Sequence, residues 1–239
     1  MNPETQSSRP GPTVKHPGPH PKLPQSLQRR IAVAIYILLD ATGSMAAEIA
    51  GVVKALLGFV KILRKSDLDP VLGLIVFRDE PYGEKPLVLP LGASPDGICD
   101  VLRATRATGG DDDPESSYPA IMRAVESVKS CGSEVKRIFL HITDAPPHDP
   151  EQGHTSDTVL QALKQHRIVF FACTPAIEPY TLFANVTGGT LFPLQPDMNA
   201  EAFRDVLLAV ADQTVKTVRR DGPALTEEMR ALLKGATQK

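Results

Sequence analysis

The chain has 239 residues, 42% of them hydrophobic, and a formal net charge of −2. That length suits one sizeable α/β domain with tails and is short for two complete domains. The near-neutral balance gives no global signal for nucleic acid or an anionic membrane as a partner, and no apolar run approaches the roughly 20 residues that span a bilayer.

Residues 1–28 hold seven prolines and almost no large apolar side chains. Such a segment cannot bury enough surface to offset its ordering entropy, so a disordered Pro-rich tail is expected there. Its basic residues, continuing through Arg29 and Arg30, outnumber Glu4, and it lacks the apolar region of a secretory signal. From Ile31 the pattern changes. IAVAIYILL reads as a strand buried on both faces, as in a parallel sheet. Ile49, Val52, Val53, Leu56, Val60 and Leu63 then recur at helical spacing. VLGLIVF is a second buried strand, and LVLPL near 87–91 a shorter one, placed at an edge by Pro90.

Segment 115–130 carries Ile121, Val125 and Val128 in helical register, and RIFLHIT is the next strand. A helix around 155–165 precedes the strand RIVFFAC, and a shorter helix follows around 176–185. TLFPL is a last strand before a long helix marked by Phe203, Val206, Leu207 and Val210. The segment 221–239 reads as a C-terminal tail in which LTEEMRALLKG can form an amphipathic turn or two. No internal repeat is present. This alternation over 29–220 predicts an α/β fold with a doubly wound, mostly parallel sheet flanked by helices on both faces. Ligands of such sheets bind at the carboxyl ends of the strands, near the switch in strand order.

Three loops fall at that rim. The first is Asp40-Ala41-Thr42-Gly43-Ser44, the second ATGGDDDPES at 107–116, and the third ITDAPPHDP at 142–150. Each offers carboxylate or hydroxyl oxygens, the donors a hard cation such as Mg²⁺ prefers. Clustered acids repel one another, and a bound cation removes that cost. The D-A-T-G-S run resembles the D-x-S/T-x-S signature of von Willebrand factor type A domains, whose metal-ion-dependent adhesion site draws further ligands from two later loops. G-G-D-D-x-P-E and T-D-A-P-P-H match forms common in a subset of that family, and the resemblance covers about residues 31–213. It implies a Rossmann-like fold with Asp40, Thr42 and Ser44 as first-loop ligands and Asp144 reaching the metal through water. In the second loop, where the family usually has threonine, Asp112 takes the ligand position, with Asp111 the alternative. Mg²⁺ is the expected cation, with Mn²⁺ or Ca²⁺ as variants.

Simpler readings compete at single positions. Ser44 alone is best read as a helix N-cap, but the three loops together favour the metal site. Asp113 reads as solvated, and Glu115 as an acid favouring the helix dipole. Thr108 reads as a loop residue, His141 as a packed core histidine, His148 as a rim residue, and Arg78–Asp79 as a loop ion pair. His154 and His166 offer no zinc spacing with any cysteine. The expected function is a non-enzymatic, Mg-dependent protein-binding adaptor. The three cysteines, odd in number and without a C-x-x-C pair, favour a cytoplasmic location. A metal-dependent hydrolase or phosphotransferase using Asp40 as nucleophile is one alternative, weakened because Thr42 stands where such phosphatases place an acid. An excised extracellular adhesion domain is another. No G-x-x-x-x-G-K-S/T, G-x-S-x-G or first-strand G-x-G-x-x-G run supports a nucleotide, serine-hydrolase or dinucleotide enzyme.

Overall fold

The computed structural model describes residues 30–80, 83, 85–110, 114–195 and 198–220. The tails expected at 1–28 and 221–239 lie outside them, as do Asp111, Asp112 and Asp113.

Among the described residues six strands form one sheet: β1 (Ile31–Asp40), β2 (Leu68–Phe77), β3 (Leu87–Ala93), β4 (Lys136–Ile142), β5 (Ile168–Thr174) and β6 (Leu191–Pro193). Their spatial order is β3-β2-β1-β4-β5-β6. All pairs are parallel except β2–β3, so the strand holding Pro90 is an antiparallel edge. The chain builds outward from β1 in one direction through β2 and β3, then returns to its other side with β4. The switch in strand order therefore lies between β1 and β4, where a crevice opens at the strands' carboxyl ends.

Alternation along β1 explains its unbroken apolar run. Val33, Ile35, Ile37 and Leu39 face one core, with α1 (Ala46–Lys65), α2 (Pro95–Ala104) and α6 (Ala200–Arg220). Tyr36 and Leu38 face the other, with α3 (Ser117–Val128), α4 (Ser156–Gln165) and α5 (Tyr180–Thr187). A strand buried on both sides has no polar face to show.

Two elements differ from the sequence expectation. Helix α2 was not anticipated, although Ser94 caps it by accepting from the Gly97 N–H at 3.0 Å and Pro95 opens its first turn. Its buried stripe is only Ile98, Cys99 and Leu102, too short to stand out by periodicity. Helix α5 starts at Tyr180 rather than near 176, because Pro179 occupies the N-cap position.

The long helices α1 and α6 cross at Gly51. A Cβ there would lie 2.7 Å from Phe203 Cδ1 and 3.0 Å from the Ala200 carbonyl oxygen. Gly51→Val is expected to destabilise the fold by about 1–3 kcal/mol through overpacking, read as a lower urea midpoint at unchanged slope. An unchanged midpoint would mean that the two helices do not pack this closely.

Candidate metal centre

The rim begins with a buried acid. Asp40, the last residue of β1, has no exposed surface. Its Oδ1 accepts from the Thr42 N–H and from the Thr42 hydroxyl, both at 2.8 Å, and its Oδ2 accepts from the Thr143 hydroxyl at 2.7 Å. Burial raises the Asp40 carboxyl to about 6, against the pull of these hydrogen bonds and with a smaller push from Asp144. Because Thr42 gives its proton to Asp40, its oxygen lone pairs are left for another partner.

Behind the first loop a 3-10 turn at Gly43–Met45 leads into α1. Neither the turn nor α1 has a side-chain cap, so the competing capping reading of Ser44 is not realised. Ser44 is exposed and lines the rim.

The second loop is stitched to the first. The Gly43 N–H donates to the Gly109 carbonyl at 3.2 Å, and the Thr108 N–H to the Ala41 carbonyl at 3.1 Å. Arg78 adds a clamp: its Nε donates to the carbonyls of Ala41 and Thr108, and its Nη2 to that of Arg106 at 2.7 Å. The expected Arg78–Asp79 pair is therefore replaced. Three backbone acceptors match the planar fork of the guanidinium, and buried Asp79 instead meets His148 Nε2 at 3.1 Å. Gly109 and Gly110 have left-handed φ values of 83° and 79°. A Cβ on Gly110 would also lie 2.9 Å from Glu115 Oε1 and 3.0 Å from Thr42 Cβ. Asp112 and its alternative Asp111 lie outside the described residues, but Gly110 and Glu115 on either side of them both line the rim cavity.

Glu115 corrects another expectation. It is buried, not an exposed acid at a helix end. Its N–H donates to the Pro146 carbonyl at 2.9 Å, and its carbonyl accepts from the His148 N–H at 3.2 Å, fastening the second loop to the third. Only the family-like spacing P-E before the helix marks it in the sequence.

Thr42, Gly43, Ser44, Gly109, Gly110, Glu115, Asp144 and Ala145 enclose a cavity of about 470 Å³. Asp40 stands behind this lining, its oxygens turned to Thr42 and Thr143. A second cavity, of about 680 Å³, shares Ser44 and Asp144 and continues over Glu48, Leu194 and Met198. Glu48 was not anticipated. It is buried in the first turn of α1, and burial raises its carboxyl, with further pushes from Asp144 and Asp40. Among the described residues no group of three or more His, Cys, Asp or Glu side chains is placed to hold a metal ion. The donor set here is instead mixed: Thr42 and Ser44 hydroxyls beside Asp144, with Asp40 behind them. Hard oxygens with few carboxylates fit a small divalent cation that keeps several waters.

Under the rim lies a fully buried polar layer. The Tyr180 hydroxyl donates to Ser117 Oγ at 2.7 Å, and Ser117 Oγ lies 3.3 Å from His141 Nε2. The His141 ring packs against Phe77, Phe170 and Tyr180, with centroids 5.6, 5.5 and 4.7 Å away. It is thus the core histidine the sequence suggested.

A doubly wound sheet with an oxygen-rich crevice at its switch point defines the class, an α/β domain. The family model for the von Willebrand factor A domain matches residues 34–195, more than half of the chain. The chain belongs to that family, whose domains commonly mediate protein–protein interaction. Over 124 residues it is also 27% identical to the putative ariadne-like RING finger protein R811 of Acanthamoeba polyphaga mimivirus. That match covers 51% of this chain and only 12% of the viral protein.

Burial lowers the His141 imidazole to about 3. The unfolded chain takes up a proton near pH 6.5, whereas the folded state refuses it until about pH 3, so stability is lost progressively as pH falls across that window. In His141→Phe the denaturation free energy should fall less between pH 7 and pH 4 than in wild type. Equal slopes would contradict a buried neutral imidazole.

Proposed function

We propose that the chain is a non-enzymatic adaptor whose rim binds a divalent cation, Mg²⁺ first, and through it a protein partner. Thr42 and Ser44 would hold the ion directly, with Asp112 from the second loop. Asp40 and Asp144 would hold it through water. The ion would supply Lewis-acid attraction for an oxygen atom of the partner. The observation that carries this reading is the Thr42 hydroxyl. It donates to Asp40 and so leaves its lone pairs to the cavity that Ser44 and Asp144 share.

Phosphotransfer through Asp40 is disfavoured on geometry. A nucleophile must reach its substrate, and Asp40 is fully buried with both oxygens accepting hydrogen bonds. The three cysteines, none in a disulfide, suit a reducing cytoplasm. The mimivirus relative, of which the matched segment is a small part, suits a module that serves larger assemblies.

The second-loop acid bears on the partner. Three carboxylates around a divalent ion leave about −1 net charge, so the ion attracts an incoming carboxylate less than in a two-acid site. A neutral or basic partner group is favoured.

Calorimetric titration of Mg²⁺, Mn²⁺ and Ca²⁺ should give saturable binding in wild type, lost in Asp40→Asn. The same substitution should raise the stability of the cation-free protein at pH 8, because it removes a buried charge while keeping the side-chain shape. A wild type that binds no cation would overturn the proposal. Asp112→Thr should tighten the cation-loaded rim's binding of a glutamate-bearing peptide, and weaker binding would count against the charge reading.

A further inference from the structure

The end of the sheet opposite the rim carries a groove of about 470 Å³ along the starts of β4 and β5. Its floor is apolar, with Ile138, Leu163 and Val169, and its walls come from the ends of α5 and α6. Val186 on the α5 wall is 44% exposed, and Leu182 one turn earlier is 41% exposed. Both belong to the small set of large apolar side chains left exposed among the described residues. Among the described residues four cationic ones line the groove, Lys136, Arg137, Lys164 and Arg167, and no acidic one does. Arg137 is fixed in place, its guanidinium donating to the carbonyls of Val128, Cys131, Gly132 and His166. Lys164 and Arg167 are exposed at the lip.

The position of α6 singles out an occupant. Thr217 and Val218, in the last turns of α6, form part of the groove wall, and α6 ends at Arg220. The chain then runs D-G-P, a break that no helix crosses easily. Beyond it Leu225, Met229, Leu232 and Leu233 recur at i, i+4, i+7 and i+8, the spacing of one helical face. Glu228, three residues after Leu225 and four before Leu232, flanks that stripe, and Glu227 precedes it. The five residues from Arg220 to Leu225 span up to roughly 17 Å, enough to turn back onto the adjacent groove.

We propose that the segment Leu225–Leu233 docks in this groove as an amphipathic helix of the same chain, its leucines and methionine on the Ile138–Leu163 floor and its glutamates against Lys164 and Arg167. The docking is independent of the cation at the rim. It covers Val186 and gives the domain a detachable segment at the end away from the partner surface.

Native-state hydrogen exchange on the full 239-residue chain tests this. Amides of 225–233 should exchange at least about tenfold more slowly than in an isolated peptide of the same sequence. Leu232→Asp should abolish that protection while β1 and β4 stay protected. Lys164→Glu with Arg167→Glu should weaken it, and adding Glu227→Lys with Glu228→Lys should restore it. Three results would overturn the proposal: peptide-like exchange in wild type, protection that survives Leu232→Asp, or protection that grows with protein concentration and so reports a second copy.

Discussion

One carboxylate organises this molecule. Asp40 closes the central strand, has no exposed surface, and ties Thr42 of its own loop to Thr143 at the end of the neighbouring strand. Burying an acid in this way is costly unless its oxygens are satisfied, so the two threonines must sit where they do for the strand ends to exist as drawn. The parallel register makes that possible. Leu39 of β1 lies opposite Ile142 of β4, so the residues that follow each strand emerge side by side.

The remaining loops are then held by backbone acceptors rather than by charge pairs. Arg78 spans the first and second loops through three carbonyls, and Glu115 fastens the second to the third through its own N–H and carbonyl. Such links fix loop position without spending the side-chain oxygens that face the cavity. A binding constellation needs that kind of support, since a loosely held first layer loses affinity even when all its residues are present. Below it, the Tyr180–Ser117–His141 chain binds α5, α3 and β4 together in a volume otherwise filled by aromatic rings.

Much of this was legible in the residues. The doubly buried β1, the stripe of α1 and the long α6 follow from apolar spacing alone, because packing decides them. The first and third rim loops were visible as oxygen-rich turns at strand ends, whereas the second follows α2 rather than a strand. What escaped was set by contacts between distant segments. Arg78 next to Asp79 suggests an ion pair, and only the fold shows three carbonyls converging on the guanidinium while Asp79 turns to His148. Glu115 read as an acid favouring a helix dipole and Glu48 carried no reading at all, and only the fold shows that both are buried. Helix α2 was missed for a different reason: three buried residues are too few to reveal a period.

The charges around the rim have a consequence for how a cation would act there. Asp40 and Glu48 both have carboxyls raised by burial, with Asp144 adding to each, so the crevice resists further negative charge. A partner carboxylate approaching that surface without a cation meets repulsion from buried acids that water screens poorly. A divalent ion near Thr42, Ser44 and Asp144 would offset most of that negative charge at the point where the partner must touch. On the proposed reading the ion therefore does more than bridge two surfaces. It sets how far the repulsion of an oxygen ligand is relieved, and the acid in the second loop limits that relief.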